Sequence, residues 1–307
     1  NVVTREMTGK NSAGEMVLMN KYGGSIALMS TTRVVFSAPN YFLNRNIFDF
    51  AFDRDESGNS LRLGDIIRLA KNNSGSGPNK RNFTLLGDPA LKLAYPWHGQ
   101  VITDSINNVS VSDNIDSLKA LSMVTVTGHI ENPDGNLMNT FNGVVSPLVY
   151  DKESKIKTLA NDGGQIMEFN LRNNVLFSGK TIAKEGRFKF TFMVPRDIDY
   201  LFGTGKISYY ANDYKEDMNG SFTDIVVGGF SNIALIDTAG PDIKLYMNDT
   251  LFRNGGITDN NAKLLAIIED RGGINTTGSG IGHDLTGFLD NNPNRSFVLN
   301  NYYENDF

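Results

Sequence analysis

The spacing of apolar and polar residues changes character twice along the chain and divides it into three stretches. In residues 1–97 apolar residues recur at helical spacing around short apolar runs. Ser12-Ala13-Gly14-Glu15 has capping-box spacing, and Met16, Val17, Leu18 and Met19 follow it, which predicts a helix of about two to three turns. Gly23-Gly24 stops that helix. Ser25-Ile26-Ala27-Leu28-Met29 is almost wholly apolar and predicts a strand buried on both faces. Pro39 suits a first helical turn, with Phe42, Leu43, Ile47, Phe48 and Phe52 near helical spacing behind it. Ser60 is the expected cap of a third helix carrying Leu61, Leu63, Ile66, Ile67 and Leu69. Phe83-Thr84-Leu85-Leu86 is the next strand, closed by the sharp turn Gly87-Asp88-Pro89. Strands joined through helices imply a parallel sheet. The elements are too few for a complete doubly wound domain, so this stretch is expected to be the end of one.

From about 98 to 235 the helical period disappears. Met123 to Ile130 alternates like a half-buried strand, and Asn132-Pro133-Asp134-Gly135-Asn136 is a turn in which Pro fixes φ and Asp-Gly tolerates positive φ. Gly143–Tyr150 is a further strand. Arg187 to Val194 places Phe188, Phe190 and Phe192 at every second position, and Lys206–Ala211 and Asp224–Val227 complete the set. Several short strands with turns between them predict an antiparallel, immunoglobulin-like β-sandwich. A third stretch, 236–307, has strands expected at Ile243–Met247, Leu264–Ile268 and Phe297–Leu299 around a Gly- and Asn-rich loop. So few strands are marginal for an independent β domain. The expected organisation is therefore multidomain: an α/β remnant over 1–97, an immunoglobulin-like β-sandwich over 98–235, and a second, truncated β domain over 236–307.

Composition narrows the chemistry. The chain has 307 residues, 29 Lys+Arg against 34 Asp+Glu, a formal charge of −5 and no cysteine. The mild acidity argues against nucleic acid as a partner, which calls for a basic face. The lack of cysteine excludes, within this sequence, a disulfide scaffold, a thiolate zinc site, an iron–sulfur cluster and a cysteine nucleophile. No run approaches the ~18 apolar residues of a membrane span. The sequence opens at Asn1 without an initiator Met or a basic-then-apolar leader and stops just after an apolar run, so both ends are expected to be cuts through a longer protein.

The three histidines, His98, His129 and His283, have no spaced partner in sequence and read as structural. Asp270 and Asp284, in the polar loop that also carries His283, are the candidate ligands for Ca²⁺, a hard cation served by carboxylates and carbonyls, although the Asp-x-Asn-x-Asn-Gly spacing is missing. No other cofactor is expected. Gly278-Ser279-Gly280-Ile281-Gly282 lacks nucleotide-binding spacing, and no Gly-x-Ser-x-Gly elbow occurs. Thr31, Thr32 and Arg33 sit where the first strand should end, the place where α/β proteins collect ligand sites; a polar turn is the alternative. Read from its residues alone, the chain is an array of α/β and β modules without catalytic machinery.

Two blocks add a resemblance. Gly23 to Arg33, followed by Phe83 to Leu91 with its Gly87-Asp88-Pro89-Ala90-Leu91 turn, resembles the end of the gingipain-type cysteine peptidase domain. Ile130-Glu131 to Asp151 with Phe141-Asn142-Gly143, Gly240-Pro241 to Asn248-Asp249, and Gly273 to Asp284 are similar to the type IX secretion sortases of Bacteroidetes. The resemblance implies a peptidase domain followed by immunoglobulin-like modules at the extracellular face of the outer membrane. It implies that the catalytic His and Cys lie upstream of the Ser12-Ala13-Gly14-Glu15 helix, so no catalytic residue is assigned here and Thr31, Thr32 and Arg33 are carried only as substrate-cleft candidates. The implied chemistry is thiolate attack on a peptide carbonyl. It releases the C-terminal sorting domain of cargo proteins and passes the acyl group to water or to an amine on anionic lipopolysaccharide. The implied partners are the upstream catalytic domain of the same chain, cargo sorting domains and type IX secretion components. Asp104-Ser105-Ile106, Asp116-Ser117-Leu118, Asp237-Thr238-Ala239 and Asp249-Thr250-Leu251 are similar to the Bacteroidetes O-glycosylation pattern, which implies Ser105, Ser117, Thr238 and Thr250 as acceptors, ordinary turns being the alternative. The competing reading of the whole chain is a surface adhesion or carbohydrate- or protein-binding β-sandwich array.

Overall fold

The computed structural model describes residues 12–161, 163–231, 239–270, 274 and 285–305. They are mostly β-strand with few helices, and the chain divides into two compact units, Asn1–Tyr95 and Pro96–Phe307.

The first unit begins with α1 (Ala13–Met19), whose capping box is complete: Glu15 N donates to Ser12 Oγ at 3.3 Å and Ser12 N to Glu15 Oε2 at 2.7 Å. The first strand, β1 (Leu28–Thr31), starts later than its apolar run predicts. The chain from Gly23 is still turning out of α1, with Ser25 N donating to the Val17 carbonyl and Gly24 at φ 119° beside it. Two helices follow, α2 (Ser37–Ala51) and α3 (Leu63–Asn73), and then β2 (Phe83–Leu86). Ser60 does not cap α3. It bridges to Arg54 across a turn that Asp55 Oδ1 organises by accepting from Ser57 N and Asn59 N, and Arg62 takes the cap position. The expected parallel sheet is also corrected, because β1 and β2 pair antiparallel, Leu28 opposite Leu86 and Thr31 opposite Phe83. A single crossover helix returns a chain to the sheet in the same direction. Two helices add one more reversal, so β2 re-enters against β1. Leu43 of α2, Ala70 of α3 and Phe83 of β2 form the small buried core.

The second unit is built on one continuous sheet. Its main strands are β3 (Gln100–Ile106), β4 (Met123–Glu131), β5 (Gly143–Tyr150), β6 (Val175–Ser178), β7 (Thr181–Ala183), β8 (Arg187–Met193), β9 (Lys206–Asn212) and β10 (Asp217–Phe222), with the two-residue strand Val109–Ser110 paired to the end of β3. The order across the sheet is β6-β5-β9-β10-β3-β4-β8, with β7 also paired to β5. The pairings are antiparallel except the single contact of Asn219 in β10 with Gln100 in β3. Strand residues alternate in and out. Inward side chains from the two ends of the path meet: Phe177 of β6 stacks on Phe192 and Phe190 of β8 at 4.9 and 5.6 Å, and Tyr209 of β9 meets Phe188 edge-on at 5.6 Å. The sheet is thereby rolled face to face, with Val101, Val124, Val126, Ile130, Val145, Val149, Ile207 and Met218 sealed inside. Gly128 of β4 lies opposite Phe188, whose ring occupies the space a β-carbon would need.

Leu118–Ala120, Val226–Phe230 and Gly203–Thr204 form a separate three-stranded sheet. Beyond it lie the antiparallel ribbon of β11 (Asp242–Met247) and β12 (Leu264–Glu269) and a short pair of Thr286–Phe288 with Ser296–Val298.

Candidate functional site

In the first unit the strand-end candidates lie together at one end of the β1–β2 pair. Thr31 closes the ladder opposite Phe83. Thr32 uses both its groups on one acceptor: its backbone N–H and its hydroxyl donate to the Asn82 carbonyl at 2.8 and 3.1 Å. That hydroxyl pins the loop, so its contribution there is positional. Arg33 is exposed. The neighbouring Ser30 is a residue the sequence reading missed. It is buried, and its hydroxyl has no hydrogen-bond partner among the described residues. Along β2 runs an open groove of about 380 Å³ between Phe83, Thr84 and Leu85 and the α3 residues Ile67, Arg68, Lys71 and Asn72. Lys71 Nζ donates to the Phe83 carbonyl at 2.9 Å, which places a cation on this strand edge.

The Gly87-Asp88-Pro89-Ala90-Leu91 turn caps a helix. Leu63 N and Gly64 N, two of the amides at the α3 N-terminus that lack an intrahelical acceptor, donate to the Leu91 and Pro89 carbonyls at 2.9 Å each. A β-carbon on Gly64 would fall 2.9 Å from Pro89, so the helix start and the turn are fitted to each other.

In the second unit His129 is not the isolated histidine that the sequence suggests. Nδ1 lies 2.6 Å from Asp104 Oδ1 and Nε2 lies 2.8 Å from Glu131 Oε1, while Arg187 approaches the second Asp104 oxygen at 3.9 Å. Glu131 is two residues along the same strand face, a spacing visible in sequence; Asp104 arrives from β3 through the β3–β4 register. Both ring nitrogens are thus engaged with carboxylate oxygens, which leaves neither facing open solvent. The cluster ties strands together on the outer face. His98 faces Asp217 Oδ1 at 3.3 Å and is exposed. His283 lies outside the described residues.

Asp270 borders a cavity of about 290 Å³ lined by Leu176, Phe177, Phe192, Met193, Ile268 and Tyr303. Its proposed companion Asp284 lies outside the described residues, and among the described residues no group of three or more acidic or imidazole side chains is arranged to hold a metal ion. Of the glycan candidates, Ser105 is engaged with Thr127, Oγ to Oγ1 at 2.7 Å, and the Ser117 hydroxyl donates to Asp116 Oδ1 at 3.4 Å. Thr250 is exposed, and Thr238 lies outside the described residues.

The family-model match falls on the first of these regions, and the structural matches extend beyond it. Residues 3–94 match Peptidase family C25. The gingipain-type resemblance read from residues 23–33 and 83–91 lies within that segment. Among solved structures the chain is similar to dimeric latent PorU from Porphyromonas gingivalis, at 28% identity and a TM-score of 0.48. The match covers 91% of this chain and 27% of that one, so the chain spans about a quarter of the PorU length. It is similar to the Arg-specific cysteine proteinase gingipain R (RGPB) at 13% identity and a TM-score of 0.27, covering 72% of this chain and 42% of that one. Spo0M, a sporulation control protein from Bacillus subtilis, matches at 14% identity and a TM-score of 0.26 over 43% of this chain and 50% of its own. No curated protein sequence matches. The matched segment therefore contains Ser30, Thr31, Thr32 and Arg33, the α3 groove and the helix-capping turn, and it contains no thiol.

Proposed function

We propose that this chain is the C-terminal portion of a cell-surface cysteine endopeptidase of the gingipain kind, a sortase that processes the C-terminal sorting domains of type IX secretion cargo. In this reading the first unit completes a peptidase sheet and carries no nucleophile of its own, and the rolled sheet is an immunoglobulin-like module that orients the catalytic domain. The C25 match over residues 3–94 carries the reading. The surface of that unit supports it: Tyr41, Phe42 and Phe48 of α2 are 62%, 55% and 61% exposed, and β1 and β2 have only each other as ladder partners among the described residues. A two-stranded pair beside a half-bare helix is a small basis for a domain of its own and leaves apolar surface for further elements. The missing partners would be further strands of the same sheet, bringing the thiol and its histidine to the end where Thr31, Thr32 and Arg33 lie. Attack of the thiolate on the cargo carbonyl would form an acyl-enzyme and expel the sorting domain with a protonated amine; water or a lipopolysaccharide amine would then take the acyl group and regenerate the thiol.

The test is cleavage of a purified cargo sorting domain by the full-length protein. Replacing the upstream cysteine with Ala should abolish release of the sorting domain, and Arg33→Ala should lower kcat/KM. Cleavage that survives the cysteine substitution, or a full-length sequence without a Cys and His upstream, overturns the peptidase reading in favour of a binding array. Arg33→Ala with unchanged kinetics removes only the cleft assignment.

A further inference from the structure

The sheet edge at Ser178–Lys180, between β6 and β7, is occupied by three residues from far along the chain. Asn305 N donates to the Ser178 carbonyl at 3.0 Å, and Lys180 N donates to the Asn305 carbonyl at 3.0 Å, so Asn305 pairs parallel with Gly179 in a one-residue bridge on the sheet edge. The two preceding residues supply side-chain recognition. Glu304 Oε2 accepts from Lys180 Nζ at 2.7 Å. Tyr303 borders the 290 Å³ cavity beside Phe177 and Phe192, and burial pushes its phenol up from the ordinary value. Gly179 is fitted to this arrangement: a β-carbon there would stand 2.6 Å from the Phe177 ring and 3.1 Å from Asn305. The edge thus has the parts of a strand-addition site, with main-chain bonds for affinity and side-chain pockets for specificity.

We infer that this edge is a peptide-docking site, that residues 303–305 fill it intramolecularly, and that it accepts in their place an extended segment of another chain with the pattern aromatic–acidic–Asn. The recognition chemistry is that of the segment seated there. An aromatic ring lines the cavity beside Phe177 and Phe192, a carboxylate meets Lys180, and an Asn backbone pairs on both sides of Gly179. Exchange is accessible because the resident segment is held by two backbone bonds, an exposed ion pair and one half-buried tyrosine, a small set of contacts that opens locally before the sheet unfolds. The inference does not rest on peptidase activity; it needs only the second unit's own edge.

The probe is a fluorescent, end-blocked peptide Asn-Tyr-Tyr-Glu-Asn titrated against the whole chain and followed by anisotropy. The resident segment competes in the wild type, so Glu304→Lys, which sets it against Lys180, should tighten peptide binding at least tenfold by freeing the site. Lys180→Glu should abolish binding of that peptide and permit binding of a version with Lys in place of Glu. Tyr303→Ala, which weakens the resident segment without touching the charge pair, should tighten binding in the same direction. Each variant is first checked for a cooperative melt. Equal peptide affinity in the wild type, Glu304→Lys and Tyr303→Ala chains, or no binding to any of them, overturns the inference.

Discussion

In Tyr209→Phe the only atom lost is the phenol oxygen. That oxygen sits inside the rolled sheet, 2.8 Å from Thr103 Oγ1, and both residues are almost completely buried, at 3% and 4% exposure. The ring of Phe would still pack on Phe188 and Phe190, so the apolar contribution is retained. What remains is a buried Thr103 hydroxyl without its partner, a loss on the order of 1–3 kcal/mol. Thr103→Val leaves the phenol orphaned instead and should cost about the same. The double variant replaces both members with apolar groups of similar shape, so its loss should be smaller than the sum of the singles by roughly 1–2 kcal/mol. Urea unfolding at neutral pH measures all four chains. Single costs that simply add, to within ~0.5 kcal/mol, would show that the two hydroxyls are not coupled and would refute this account of the core. A pH arm gives a second reading. Burial, chiefly, and the nearby Asp104 charge hold the Tyr209 phenol protonated well above its ordinary value. A group whose folded value is raised stabilises below its unfolded value and loses that contribution as pH climbs toward the folded one. Wild-type stability should therefore fall above about pH 10, by up to ~1.4 kcal/mol per pH unit from this group, and Tyr209→Phe should lack that component.

Two further substitutions test the sheet at other points. Gly128→Ala drives a β-carbon into the Ile102 carbonyl and the Phe188 ring and should lower unfolding free energy by about 2–3 kcal/mol; a neutral result would mean that β3 and β4 can part more easily than their register implies. His129→Ala leaves Asp104 and Glu131 as facing carboxylates and should cost roughly 1 kcal/mol, a loss that shrinks in added salt and with Glu131→Gln in the same chain; a salt-insensitive loss would point to packing and away from charge pairing.

Much of the local structure is legible in the residue pattern because its causes are local. The Phe188-Phe190-Phe192 alternation can be satisfied only by a strand with one wet face, and those rings do point inward at 5%, 6% and 4% exposure. The Ser12–Glu15 box closes within one turn and forms as its spacing predicts. Gly143–Tyr150 and Phe83–Leu86 begin and end where their flanking turn residues place them. Where the sequence misleads, a distant partner is the reason. Ser60 has the chemistry of a cap, but the Asp55 turn and Arg54 hold it, and Leu91 and Pro89, from beyond the helix, do the capping. His129 looks alone in sequence because Asp104 reaches it across a register that no linear spacing records.

The sequence by itself determined which segments turn, cap and alternate, and that no thiol lies within this chain, since propensity, φ restrictions and side-chain chemistry are properties of neighbouring residues. Only the tertiary structure decided the antiparallel meeting of β1 with β2, the rolling of one sheet onto itself, the carboxylates around His129, and the seating of Asn305 beside Gly179. These are pairings between surfaces far apart along the chain. Many registers satisfy the same alternation of apolar residues, and the one adopted is set by how rings such as Phe177, Phe190 and Tyr209 fill a common interior.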